Sequence, residues 1–239
     1  MYEWRTLRSL AMLLLCLPLL HLAFIISTDL NNYLDPSPEV WAKHMAALVQ
    51  ADMRIELPER PILVVGGQRV GLWQDLPAML LPRKTLLRSL GDATIEDLSY
   101  YFDRLVGHYR PDIIVLFPGY ADLHLRDDKT AADFAVALEE FLAHDAVYKA
   151  TSWRYVLTPL AMPLHPDDDV RIVAMANSAR ELAARVGKVT VIDANPALAG
   201  LNGRPNPAYF RSDGVNLNAA GYTRVSLLLQ AKLREDGAL

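Results

Sequence analysis

The sequence predicts a three-layer α/β sandwich built on a five-stranded parallel sheet of flavodoxin-like order, 2-1-3-4-5. Two patterns carry this. Five short runs, 62–67, 85–90, 112–117, 153–160 and 189–193, are largely apolar instead of alternating, as strands buried on both faces are. Segments of helical spacing separate them, and strict alternation of strand and helix gives a parallel sheet covered on both faces. In such a sheet the functional loops lie at the carboxyl ends of the strands.

The elements follow in chain order. Residues 9–27, SLAMLLLCLPLLHLAFIIS, carry no formal charge. At 1.5 Å per residue such a helix comes close to spanning a hydrocarbon core of about 30 Å. Pro18 and His21 interrupt it. Arg5 and Arg8 precede it and no Lys or Arg follows until Lys43, which places residues 1–8 in the cytoplasm and the rest of the chain outside. The expectation is a single-pass signal-anchor with an extracytoplasmic domain, periplasmic in a bacterium. A cleaved signal peptide is the alternative, but the bulky FIISTDL offers no A-x-A-like site. Cys16 follows Leu15, which is a poor lipoprotein site. It is the only cysteine, so the domain can form neither a disulfide nor a thiolate metal site.

Residues 28–59 read as a connector and an amphipathic helix. NNYLDPSP (31–38) is polar; Ser37 as N-cap and Pro38 at the first helical position start the helix. Val40, Trp41, Met45, Leu48 and Val49 share a face. The domain proper is taken as 60–239. ILVVGG (62–67) is its first strand and TLLRSL (85–90) a weaker one. TIEDLSYYFDRLVGHY (94–109) has helical spacing through Ile95, Leu98, Tyr101, Phe102 and Leu105, with Thr94 as cap. DIIVLF (112–117) is a strand, 129–145 a helix, and WRYVLTPL (153–160) a strand running into a Pro-rich loop. Residues 169–187 form a helix stopped by Gly187; Asp167–Asp169 before it compensate the helix dipole and are not read as a metal site. VTVID (189–193) is the last strand, and 218–235 is a closing amphipathic helix capped by Asn218.

Composition narrows the function classes. The net charge of −4 and the scattered basic residues exclude a nucleic-acid surface. VVGGQRV (64–70) places two glycines after a strand, but Gly66, Gly67 and Gly71 do not fit G-x-G-x-x-G and no Walker lysine is present. No cofactor is therefore expected. His44, His108, His144 and His165 are scattered, with no H-x-x-x-H spacing, so no metal is expected.

Three loops after strands stand out: VVGGQRV, FPGYADLHL (117–125) and YFRSDGVNLNAAGY (209–222). In this order, over residues 60–236, they resemble the SGNH (GDSL-type) hydrolase family. The most specific match is DGVNLNAAGY followed by an amphipathic helix. The resemblance implies that Gln68 stands at the nucleophilic serine of the first block. Gly91 in RSLGDAT is the backbone donor of the second block. Gly119, Ala121 and Asp122 form the third, with Ala121 at the oxyanion-hole asparagine. Asp213 and Asn216 form the fourth, with Asn216 at the catalytic histidine.

Acyl transfer by that route needs an Oγ, an imidazole and donors aimed at the oxyanion. An amide is neither nucleophile nor base near neutral pH. The expectation is a domain without standard catalysis. It would bind an acyl or glycan ligand, or serve as a partner in an envelope assembly. Gln68, Gly91, Ala121, Asp213 and Asn216 should converge on one cleft, with the Gln68 and Asn216 amides sharing Asp213. The alternative is an active esterase or acyltransferase using displaced residues: His124, Ser212 and Asp213, with Ser89 near Gly91. Against it, Ser212 and Asp213 read as loop-capping residues and His124 as an exposed loop histidine.

Overall fold

The computed structural model describes residues 4–34 and 36–239; within the first helix the described side chains are those of Trp4, Arg8 and residues 11–27. The chain divides into two compact units, Met1–Val40 and Trp41–Leu239.

The first unit is dominated by helix α1, Trp4–Leu34, which holds Pro18 within it. Its described apolar side chains, Met12, Leu15 and Phe24 among them, are exposed. Among the described residues no helix is long and apolar enough to cross a membrane. Of the two arginines flanking the expected anchor, Arg8 is exposed, while the side chain of Arg5 and residues 1–3 lie outside the described residues. The helix also runs through Asn31–Leu34, where a connector was expected. The Ser37 hydroxyl accepts the Glu39 N–H at 3.4 Å, but the turn it starts, Pro38–Trp41, is 3-10. Helix α2, Ala42–Asp52, begins only after it.

In the second unit β1 (Ile62–Gly66) is followed by the short helices α3 (Gln68–Gly71) and α4 (Leu76–Met79), then by β2 (Thr85–Ser89). Helices α5 (Ile95–Tyr100) and α6 (Phe102–Leu105) lead to β3 (Ile113–Phe117), α7 (Ala131–Tyr148) and β4 (Trp153–Leu157). Then come α8 (Asp169–Val186), β5 (Val189–Ile192), α9 (Asn195–Leu198) and α10 (Ala219–Glu235). The strands form one five-stranded sheet in the order β2-β1-β3-β4-β5, parallel throughout. That is the expected order. The apolar runs of β1 and β3 are buried along their whole length, as a strand covered on both faces must be. Helices α5, α6, α7 and α8 pack together in one group, and α4, α9 and α10 in another. Trp73 is fully buried. Its indole donates to Ser226 Oγ at 2.8 Å and meets Phe117 edge-on, which locks α10 to the end of β3.

Local signals explain the helix starts. Thr94 and Thr130 each accept the N3 backbone N–H, and Asp97 and Asp133 reach back to the cap N–H. These are full capping boxes, which satisfy two otherwise unpaired donors per helix. Asn218 caps α10 by accepting from Gly221 N–H, as expected. Residues 94–109 differ from expectation: they form α5, α6 and a 3-10 turn at Gly107–Tyr109 instead of one helix. The Tyr148 ring sits so close to Gly107 that a Cβ there would lie 2.2 Å from Cζ. The segment bends to seat α7, and that contact has no local sequence signature.

The compact unit begins at Trp41, earlier than the expected boundary at 60. Trp41 and Met45 are buried. Asp52 pairs with Arg88 of β2 at 2.6 Å with both side chains about nine-tenths buried, and Tyr109 also bonds to Asp52. Helix α2 is therefore part of the domain and not a linker.

Candidate functional site

The carboxyl edge of the sheet gathers five loops. At the end of β1, Gly66 is held against β3: a Cβ there would lie 2.2 Å from the Phe117 carbonyl oxygen. A Cβ on Gly67 would meet the carbonyl oxygens of Gly91 at 3.0 Å and Ala93 at 3.4 Å, and Gly119 Cα at 3.7 Å. The first three blocks thus meet backbone to backbone at Gly67, which explains why the sequence places glycines there. Gln68 opens α3. Its side chain is exposed and forms no hydrogen bond with the described residues.

Arg69, the next residue, was not anticipated. It is 1% exposed. Its Nη2 donates to the Val215 carbonyl at 3.1 Å, and its own carbonyl accepts the Tyr222 hydroxyl at 2.8 Å. Nε and Nη1 have no hydrogen-bond partner among the described residues. Burial pulls the guanidinium down to about 10, against the fields of Tyr222, Asp213, Tyr120 and Asp122. It remains charged at neutral pH.

In the second block Gly91 adopts φ +50° and a Cβ would strike the Trp41 ring at 2.3 Å. The indole lies on the bare glycine, its N–H donating to Asp97 at 3.0 Å and its ring facing the Arg126 guanidinium at 5.3 Å. Ser89 donates to the Gly67 carbonyl at 3.0 Å and serves the loop. In the third block Ala121 and Asp122 are buried. Asp122 accepts the N–H groups of Ile95 at 3.0 Å and Gly119 at 3.2 Å, with Lys129 Nζ at 3.5 Å. Burial pushes this carboxyl up to about 6, opposed by the Lys129 ammonium and the two N–H donors.

In the fourth block Asp213 Oδ1 accepts the N–H groups of Val215 and Asn216, each at 2.9 Å, and Oδ2 accepts the Asn216 side-chain amide at 2.9 Å. Burial raises the Asp213 carboxyl, but these bonds outweigh it and hold the group below its ordinary range. The expected sharing of Asp213 by two amides is corrected: Asn216 reaches it and Gln68 does not. The Ser212 hydroxyl is exposed and makes no hydrogen bond with the described residues.

The fifth loop, between β4 and α8, was not read as part of the site. Its Leu164 N–H donates to the Gly214 carbonyl at 3.2 Å, directly on the Asp213–Asn216 turn. His165 Nε2 lies 2.8 Å from the Tyr120 hydroxyl of the third block. The His165 ring stacks on His124 with centroids 3.8 Å apart. Burial and the neighbouring imidazole lower the His165 pKa. His124 Nε2 is 2.7 Å from Asp168 Oδ2, and Asp168 Oδ1 accepts from Arg171 at 2.8 Å. Two expectations are corrected here. His124, expected as an exposed loop histidine, is partly buried and bonded to Asp168, and Asp168 does more than compensate a dipole. The displaced triad of His124, Ser212 and Asp213 is not brought together either, because His124 takes Asp168 as its carboxylate. Arg69, Tyr120, His165 and Asp168 were missed because their partners lie far away in sequence. The one available signal was the Pro-flanked LHP at 164–166.

A family model described as the GDSL-like lipase/acylhydrolase family matches residues 35–224. Several solved structures share the fold. A protein provisionally described as a platelet activating factor from Streptococcus pneumonia has 21% identity and a TM-score of 0.70, covering 87% of this chain and 98% of that one. A GDSL-like lipase from Bacteroides thetaiotaomicron has 17% identity and a TM-score of 0.65, covering 80% and 98%. A lipase/acylhydrolase from Enterococcus faecalis has 22% identity and a TM-score of 0.58, covering 74% and 96%. No curated protein sequence matches.

Two predictions follow from the geometry. A buried charge without a carboxylate in direct contact is a burden on the fold. Arg69→Met should leave stability unchanged or raise it by about 1–3 kcal/mol in urea melts; a loss above about 2 kcal/mol would mean that Arg69 is satisfied in solution by a further partner. The second concerns Asp213. Because its folded pKa is depressed, it stabilises the fold above its unfolded value, and that contribution is lost as the pH falls through the folded value. Asn216→Ala removes one donor, so the Asp213 pKa should rise in a carboxylate NMR titration and acid unfolding should begin at higher pH. An unchanged titration would dissociate the amide from the carboxylate.

Proposed function

Given that the chain belongs to the GDSL-like lipase/acylhydrolase family, we propose that it uses the family fold without the family's serine chemistry. It holds an acyl or glycan ligand, or a protein partner, in cell-envelope modification. One observation carries the reading. The residue that opens the helix after β1 is an amide, Gln68, with its side chain exposed. The Asp213 carboxylate of the last block is occupied by a second amide and two backbone N–H groups. A hydroxyl must lose a proton to attack a carbonyl carbon, and a positioned base must take it. At these two positions neither part is present. Asn216 donates to Asp213 as the N–H of an imidazole would, but it cannot accept a proton near neutral pH. On this reading the turn keeps the hydrogen-bonding architecture and lacks the proton transfer.

The apolar run 9–27, behind Arg5 and Arg8, supports a single-pass anchor with the domain outside the cytoplasm. A second reading has one observation in its favour. The pairs His165–Tyr120 and His124–Asp168 join titratable groups in the loops after β3 and β4, which favours an esterase or acyltransferase of non-standard design.

The full-length protein is expected to hydrolyse p-nitrophenyl acetate no faster than a heat-denatured control and to resist labelling by a serine-directed phosphonate. Turnover abolished by His165→Ala or His124→Ala would overturn the inactive reading in favour of the second. A reporter fused after Leu239 should be active only outside the cytoplasm; activity inside would remove the anchored topology.

A further inference from the structure

We propose that His124, His165 and Asp168 form a binding site for a divalent transition-metal ion, Zn2+ by its ligand chemistry, between the loops after β3 and β4. One ligand atom from each residue lies within 4.8 Å of the other two. In a four-coordinate zinc site with bonds of about 2.1 Å, neighbouring donors stand about 3.4 Å apart. His124 Nε2 and Asp168 Oδ2 are already closer, at 2.7 Å, because they now share a hydrogen bond. An ion entering between them would spread the pair by less than 1 Å and draw in the third donor by little more than 1 Å. All three side chains are only partly buried, on loops and at the start of a helix, so rotation about side-chain torsions suffices.

The donor set selects the metal. Two imidazoles and one carboxylate suit Zn2+ and its first-row neighbours better than Ca2+ or Mg2+, which take oxygen shells. Three protein ligands leave a fourth position open. Outer contacts that orient ligands in metal sites are also in place. The Arg171 guanidinium fixes Asp168 Oδ1 at 2.8 Å and leaves Oδ2 for the ion. The Tyr120 hydroxyl bonds His165 Nε2 at 2.8 Å, so it is an outer contact for an ion held by Nδ1 of that ring. Arg171 is itself anchored elsewhere, to the Leu123 carbonyl at 3.1 Å and to Asp128. Its positive charge weakens the site, since Nη2 stands 3.4 Å from His124 Nε2. The site opens beside a shallow, polar hollow of about 540 Å³ whose lining includes His124, Asp127, Asp128, Asp168 and Arg171. The two histidines are contributed by the loops after β3 and β4, so no local spacing could announce them.

The test is a calorimetric titration of chelator-stripped, full-length protein with ZnCl2. One saturable site per chain is expected. His165→Ala and Asp168→Asn should each weaken it by about tenfold or more, while His144→Ala, remote from the cluster, should not. Asp168→Asn keeps an acceptor for Arg171, and a thermal melt of each variant confirms folding. Substitution with Co2+ should give the visible bands of a four-coordinate site, lost in His165→Ala. Absence of saturable Zn2+ binding, or an isotherm unchanged in both His165→Ala and Asp168→Asn, would overturn the proposal.

Discussion

The carboxylate of Asp122 holds the carboxyl edge of this domain together. It is fully buried, and a buried carboxylate persists only when it is heavily hydrogen-bonded or paired. Here the partners come from three stretches of chain: the Ile95 N–H at the start of α5, the Gly119 N–H at the end of β3, and Lys129 before α7. Lys129 is buried too and is shared with Glu96 and Asp127. This small network fixes the loop after β2 against the loop after β3. Gly67 can then sit against Gly91, Ala93 and Gly119 within van der Waals reach. The placement of Gln68, Tyr120 and His124 follows from that junction.

The parts of this architecture that depend on short-range chemistry were legible in the sequence. Apolar runs marked all five strands, and the 2-1-3-4-5 order followed from their alternation with helices. Thr94 and Asn218 announced their helices because a cap acts within three residues of itself. Elements set by distant contacts were not legible. Four-residue helices such as α3 and α9 are too short to show a period, and the break in 94–109 exists to seat Tyr148. The same division runs through the candidate site. Block order could bring Gly91 and Gly119 to the end of β1, where their backbones meet Gly67. Arg69 could not be placed, because an arginine in a polar turn reads as solvent-exposed and only the packing of α10 and the Asp213 turn buries it. His124 and His165 meet through a loop whose only local mark is a proline on each side of Leu164–His165.

The Asp213–Asn216 turn can be compared with one held by a histidine, whose ring has two separate uses. One is geometric: an N–H directed at a carboxylate holds the turn. The other is reactive: the opposite nitrogen takes up and releases a proton. The Asn216 side-chain amide makes a contact of the first kind, donating to Asp213 Oδ2 at 2.9 Å, and the backbone N–H groups of Val215 and Asn216 complete the grip on Asp213.

Trp41 has a consequence for where this domain can be cut. The indole covers Gly91 and, through its N–H, ties itself to Asp97, the residue that completes the capping box of α5. A fragment started at the first strand would expose an apolar face at the second block and leave the Asp97 carboxylate without one of its donors. The shortest piece that keeps the native edge is therefore one that retains Trp41 and α2, although neither belongs to the alternating strand–helix pattern by which the domain is recognised.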